Sequence, residues 1–437
     1  MTDCTQETFH FPSIQRRKIE AKFGGGDVTS DGGVLLLREM DRQLNLTPAL
    51  SEVIPDPRNP KFIVHSQLSL LKLRIYGIAL GYEDLNDHDK LRKDPAFQTA
   101  VERDETLGSS PTLCRLENRS ARKTAVKMHE IFFEKFIQSF DKAPEELILD
   151  FDATDDRVHG EQEGRFFHGY YREYCFLPLY VFCEDQLLVS YLRPSNQDQA
   201  KHTWAILSLL VKRLRKEWPE VKIIFRGDGG FCRHKMFSWC ERHDVKYIVG
   251  ISKNNRLLLE SKEFQNQAKR NYEETKEKQR LFGEIHYAAG SWNKKRRIIV
   301  KAEHAAKGEN TRFVVTNLLD DAKYLYDHIY CARGEMENRI KEQQLDLFAD
   351  RTSCHRWWAN QFRLLLSSAA YILISAIRRI TLQATELAQA QCSTIRLKLF
   401  KIGAVIIRNT RRIKFLLSSN YPYQDLFIKI TAKLCSG

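Results

Sequence analysis

The chain has 437 residues, 43% of them hydrophobic and 29% charged, which is enough apolar content for more than one packed core and excludes a disordered chain. Its 69 Lys and Arg against 56 Asp and Glu give a net charge of +13, pointing to a polyanionic partner, nucleic acid before an acidic membrane surface. The longest apolar run, Leu364 to Ile377 between Arg363 and Arg378, is well short of the roughly 20 residues a membrane helix needs, so it predicts a buried core helix and no membrane partner.

The polar start MTDCTQETFHFPS lacks the basic-then-apolar order of a signal peptide, and the chain is expected in the cytoplasm. Ten cysteines stand singly, without a C-x-x-C pair or zinc spacing, and read as reduced thiols. After a polar tail, residues 1–26, the glycines of FGGGDVTSDGG lack the Gly-Lys-Ser/Thr ending of a phosphate loop; Gly33 reads as a flexible lead into a helix. Residues 27–142 have helical apolar spacing and form the expected helical DNA-binding domain. Within it Ser110-Pro111 starts a helix that carries Arg115, Asn118 and Arg119 on neighbouring faces. Arg and Asn are the side chains that best read base edges in a groove, with a solvated face as the alternative.

At residue 147 the texture changes from helix to strand. LILDFDAT is a buried strand, FLPLYVFCEDQLLVSYLRP two strands joined at Glu184-Asp185-Gln186, AKHTWAILSLLVKRLRKEW a helix, VKIIFRGD a strand, HKMFSWCERH a helix and VKYIVGIS a strand. This order predicts an α/β fold (α+β overall), a mixed sheet with helices on its faces, over residues 143–254. Residues 255–320 interrupt it with a charged helical stretch and the strands EIHYAAGSW, KKRRIIVKAEHA and TRFVVTNL, a β-rich insertion. Helical spacing resumes over 321–390. Residues 391–437 form a basic segment that alternates in strand fashion around Gly403.

Two core strands end in an aspartate, Asp152 and Asp228, where open α/β sheets build their sites. Strand alternation puts Asp150 on the face of Asp152. Arg226-Gly227-Asp228 is thus a strand end delivering a carboxylate, not an adhesion loop, and Gly229-Gly230 lets a ligand approach the backbone. In YCARGEMENRIKEQQ a regular helix puts Tyr330, Arg333, Glu337, Lys341 and Gln344 on one polar stripe, with Glu335 and Glu342 facing elsewhere. Asp152, Asp228 and Glu337 together supply hard oxygen ligands suited to two Mg²⁺ ions, with Mn²⁺ able to substitute, of the kind that drive in-line attack on a phosphodiester. In AAGSWNKKRR, Trp292 is placed to stack on an unpaired or flipped base while Lys294, Lys295, Arg296 and Arg297 hold the backbone; the alternative is a Trp that packs a small β domain.

Taken together, VTSDGGVLLLRE, PTLCRLENR, LDFDATDD, RGDGGF, RFVVTNL, YCARGEMENRIKE and ADRTSCHRWWANQFRLLL make the chain resemble the DDE transposases of bacterial insertion sequences, in the branch with a β-rich insertion before the third acid. The resemblance covers most of the chain. It implies an RNase H-like catalytic domain in which Asp152, Asp228 and Glu337 hold the two metal ions. It also implies 3′-OH generation at the element's terminal inverted repeats, strand transfer into target DNA, a homodimer on the paired ends, and a bacterial protein held at the nucleoid by DNA. Tyr330 and Arg333 match the residues that contact the DNA end near the scissile phosphate. Where the family has a lysine seven residues after the glutamate, Gln344 stands here, and Lys341 is the substitute. Asp152 is chosen over Asp155 and Asp156 because, like the family's first acid, it ends the strand before a small residue and a threonine; Asp150 and Asp155 are the alternatives for a group that assists it. The rival readings are a catalytically silent DNA-binding relative and a nuclease of the same fold that joins no strands.

Overall fold

Alternate residues of ELILDFDA turn to opposite sides of the strand Glu146–Ala153 (β1): Leu147, Leu149, Phe151 and Ala153 to one, Ile148, Asp150 and Asp152 to the other. The structure, a computed structural model, describes residues 8–435. Seven further strands join β1 in the central sheet: Leu179–Cys183 (β2), Gln186–Tyr191 (β3), Lys222–Gly227 (β4), Lys246–Ile251 (β5), Gln279–Tyr287 (β6), Arg296–Ala305 (β7) and Arg312–Thr316 (β8). Their order is β6-β7-β8-β5-β4-β1-β2-β3, with the short strand Gly308–Glu309 added at β7. Strands β5, β4 and β1 are parallel to one another, and the other pairings are antiparallel. The first five strands thus lie 3-2-1-4-5 with the second reversed, the sheet of an RNase H-like fold, as expected.

Helices cover both faces, because β1, β4 and β5 are buried on both. On one side Arg122–Ile137 (α1), Thr203–Glu217 (α2) and His234–Arg242 (α3) bury Phe133, Leu207, Leu214 and Phe237 against Leu147, Leu149 and Phe151. Phe151 is fully buried, edge-on to Phe225 at 5.1 Å, and burial of such a ring contributes about 1.5–3 kcal/mol. On the other side Leu325 and Tyr326, ahead of the helix Gly334–Lys341 (α4), pack on Ile224, Ile248, Ile299 and Val314. There too Trp357–Thr381 (α5) sets Tyr371 edge-on to Phe182 at 5.8 Å. By length and composition alone α5 could cross a membrane, but 83% of its most apolar stretch is buried, as a core helix requires.

The segment 255–320 carries the sheet onward: β6 and β7 form a long hairpin, and β8 joins β7 to β5. A small three-stranded sheet that the sequence reading did not anticipate lies between β1 and β2 in the chain, ordered Asp156–Arg157, Glu173–Phe176, Phe166–His168. The described cysteines are free thiols.

The chain divides into two compact units, residues 46–57 with 114–375, which hold this sheet, and residues 1–45, 58–113 and 376–437. The second is mostly helical, with a sheet of Val28–Thr29, Ala404–Arg408 and Ile413–Leu417. Gly33 is there for contact, not flexibility: a Cβ would lie 1.9 Å from the Leu399 carbonyl oxygen, and the Gly33 N–H donates to the Phe400 carbonyl at 3.1 Å. Buried Asp31 pairs with Lys401 at 2.6 Å. Part of the stretch expected as a polar tail is ordered as a hairpin, Phe9–Ile14 with Arg17–Ala21; its start, residues 1–7, lies outside the described residues.

Candidate active site

Asp152 closes β1 and is nearly buried, its Oδ1 accepting the Ala153 N–H at 2.8 Å. Asp228 follows β4 directly and caps the turn Gly229–Phe231, its Oδ1 accepting the Gly230 N–H at 2.9 Å, with the Gln199 amide at 3.5 Å. Parallel pairing of β1 with β4 sets Arg226 beside Asp150 and Gly227 beside Phe151, so the two strand ends lie side by side.

Glu337 comes to them on α4 through Arg333. One guanidinium nitrogen of Arg333 donates to Asp152 Oδ2 at 3.0 Å and the other to Glu337 Oε1 at 2.6 Å. Burial raises the Asp152 carboxyl to about 7, against the pull of Arg333 and with the added repulsion of Asp228 and Glu337. The three acids therefore share one electrostatic field, and that field is short of positive charge. Burial alone would depress the Arg333 guanidinium, but Asp152 and Glu337 outweigh it and hold its basicity above the ordinary value. Tyr330 stands beside them, its phenol raised by burial and by Asp228 against the pull of Arg333. Room for it comes from Gly250 of β5, where a Cβ would lie 2.5 Å from the Tyr330 hydroxyl.

A regular helix was expected over 330–344, and the winding differs. Leu325–Tyr330 is a π turn, Cys331–Arg333 a 3₁₀ turn, Gly334–Lys341 α and Glu342–Asp346 π again. Such π turns recur at functional sites. A clamp holds the first of them: Arg226 grips Asp150 through both carboxylate oxygens, with Nη2 to Oδ2 at 2.5 Å, and its Nη1 donates to the Ile329 carbonyl. The change of pitch keeps Glu337 on Arg333 but removes Gln344 from the stripe, its amide donating to the Asp155 carbonyl at 2.9 Å. Lys341 and Glu335 are exposed, and buried Glu342 pairs with Arg339.

Among the described residues no three acidic, His or Cys side chains form a ready metal cluster, since Arg333 fills the place between Asp152 and Glu337. The donor chemistry fits a hard divalent cation: three carboxylates, one of them, Asp152, pushed up to about 7 first by burial and further by the other two acids.

The other predicted DNA contacts are scattered. Arg296 is 3% exposed and bonded to Glu241 at 2.9 Å, so alternation along β7 makes it a packing residue and removes it from any DNA surface. Arg297 is paired with Glu284 and with the Asp320 carbonyl at 2.8 Å, and Lys294 with Glu241 at 3.0 Å; Lys295 is exposed. Trp292 packs edge-on to Phe237 at 5.8 Å and Tyr287 at 5.7 Å, with Arg296 over its ring. Trp292→Ala is therefore expected to cost about 1–3 kcal/mol of stability, below the roughly 3–5 of a fully buried Trp, with DNA cleavage falling only in proportion. Thermal melts beside cleavage assays check this. Arg119 pairs with Asp56 at 3.0 Å, the Asn118 amide turns back to the Cys114 carbonyl at 3.0 Å, and Arg115 is exposed. The sequence reading assigned no role to Arg226 or Gln199; a charge inside the apolar run KIIFRG was the available signal for Arg226.

A family model described as "Transposase DDE domain group 1" matches residues 11–436. The chain is similar to a piggyBac transposase synaptic complex with hairpin DNA solved by cryo-EM, at 11% identity and TM-score 0.45, over 85% of this chain and 79% of that one. No curated protein matches.

Proposed function

The chain belongs to the transposase DDE domain family, group 1, and on that footing we propose that it cuts DNA at the inverted repeats ending a bacterial insertion sequence and joins the freed 3′ ends to target DNA. Members of the family generally use divalent metals, and this reading assigns two Mg²⁺ ions, replaceable by Mn²⁺, to Asp152, Asp228 and Glu337. Bound there, such ions would activate a water or 3′-hydroxyl and stabilise the leaving oxygen. The observation that supports the reading is that Arg333 bonds both Asp152, at the end of β1, and Glu337, on α4, with Asp228 at the neighbouring end of β4 acting on Asp152.

The chain's own residues then have separate tasks. Asp228, fixed by the Gly230 N–H, presents a carboxylate of set orientation. Arg333 balances Asp152 and Glu337 until DNA arrives, and its planar donors suit transfer to phosphate oxygens. Tyr330, held against Gly250, flanks the same position. Exposed Lys341, Lys295 and Arg115, with Arg411, Arg412 and Lys414 on the hairpin of the other unit, are candidates for the DNA backbone. Holding two ends at once calls for two copies of the chain.

Purified protein is to be incubated with end DNA and a target. Joined products support the reading; nicks alone would make the protein a nuclease, and gel shifts without cutting a DNA-binding relative. Binding is also expected to weaken by orders of magnitude between roughly 50 and 200 mM salt, because each neutralised phosphate releases counterions. Affinity titrated across that range checks it, and a flat curve counts against a DNA partner.

A further inference from the structure

A cleft of about 580 Å³ opens on the catalytic unit, walled by Phe166, Tyr191, His202, Trp357 and Trp358, with Arg122 at its edge. Its rings are fixed in place. Trp357 lies against Gly164, where a Cβ would come within 2.6 Å of the indole, and edge-on to Phe176 at 5.2 Å. Tyr191 and His202 meet edge to face at 5.7 Å. Phe166, on the small sheet after β1, is 41% exposed, a large ring left partly in water. His202 holds φ at 69°, a left-handed conformation that residues with a β-carbon seldom adopt and that is retained mostly where function needs it.

The field at this cleft is cationic. His202 loses basicity first by burial and then through Lys201, Arg193 and Arg122. Arg193 is buried and bonded to neutral carbonyls, Leu177 at 2.9 Å, Gln199 at 2.7 Å and Lys201 at 2.9 Å, with Asp198 partly offsetting its charge. Two acids stand nearby. Glu163 accepts the Trp357 N–H at 3.0 Å, and Asp198 is paired with Arg233 at 2.6 Å. The segment that forms this side also reaches the catalytic acids, because Gln199, whose carbonyl receives Arg193, turns its amide to Asp228 at 3.5 Å.

Flat aromatic walls within a field of cations match a base with its phosphate, the combination that proteins binding unpaired strands use. We propose that the cleft holds one unpaired nucleotide of the DNA strand that leads into the active site, the base against the aromatic rings and the phosphate toward Arg122 and Lys201. The inference rests on the reading that this chain acts on DNA. The interior of a duplex cannot fill the site, because a base paired there has both faces stacked.

The test uses the full chain and its Phe166→Ala, Trp358→Ala and Arg122→Ala variants. Affinity is measured by fluorescence anisotropy for a labelled blunt duplex and for the same duplex with a short unpaired extension, and a deoxynucleoside monophosphate is added as competitor. The extension is expected to strengthen binding by the parent, and each variant to lose at least about fivefold on the extended DNA with blunt-duplex affinity and melting temperature unchanged. Equal losses on both DNAs, or none, overturn the proposal. So does a cleft that binds the monophosphate while ignoring the extension, since the occupant is then a free nucleotide. A protein that cuts no DNA yet keeps the extension preference refutes the cleavage reading and leaves this one standing; normal cleavage without that preference does the reverse.

Discussion

Glu337→Gln is expected to lower metal-dependent cleavage of end DNA by at least about 100-fold, the equivalent of about 2.7 kcal/mol at the transition state, with DNA binding retained. The substitution keeps size and a hydrogen-bonding oxygen for Arg333, which now bonds the Glu337 carboxylate at 2.6 Å. What it removes is the negative charge that a hard cation needs. Glu335→Gln, two residues earlier and exposed on the same helix, is the control and should change stability and cleavage little, within about 0.5 kcal/mol. Labelled end DNA, cut in Mg²⁺ by both variants with gel shifts alongside, makes the comparison. Normal cutting by Glu337→Gln, or a dead Glu335→Gln, would falsify the assignment of the third acid.

The other large effect belongs to the buried pair behind the site. Asp150 and Arg226 have side chains only 3% and 7% exposed, so Asp150→Ala leaves a guanidinium without its carboxylate and is expected to cost about 3–5 kcal/mol. Apolar partners of similar volume often restore such a loss, and the double variant Asp150→Leu, Arg226→Met should recover most of the stability. It should not recover cleavage. The Ile329 carbonyl loses its donor, and with it goes the clamp on the π turn Leu325–Tyr330 that leads into Arg333 and Glu337. Urea unfolding and end cleavage, measured on both variants, separate the two roles; a double variant that is stable and fully active would show that the clamp positions nothing.

Much of this site was legible in the sequence. Apolar runs of strand length ending in Asp152 and Asp228 can close only at the rim of a sheet, and the i, i+4 spacing of Arg333 and Glu337 survives the change of pitch between them. The clamp was half legible: Asp150 and Arg226 are each a charge inside a buried strand, which demands a partner, but only the register of β1 with β4 makes them partners of each other. The winding around α4 was hidden, because the change from π to 3₁₀ to α pitch leaves no periodic pattern in the sequence. The run Lys294 to Arg297 misled for a related reason. Four cations in a row read as one patch, while the strand turns Arg296 inward to Glu241, 55 positions away in the chain.

The sheet that joins Val28–Thr29 to Ala404–Arg408 has a consequence for synthesis. A chain leaves the ribosome N-terminus first, so the helix Val34–Leu44 emerges long before Phe400 and Ile402, whose carbonyls receive the N–H groups of Gly33 and Gly32. Strands β1 to β8, by contrast, are all present once residue 316 is out. The half that holds this central sheet can therefore begin to fold during translation, whereas the half that pairs Val28–Thr29 with Ala404–Arg408 must wait for the later strand and then close a very long loop. A chain cut short after residue 375 would keep all three acids and leave Val28–Thr29 and the helix Val34–Leu44 without the segment 399–408 that they meet, a natural substrate for chaperones and proteases.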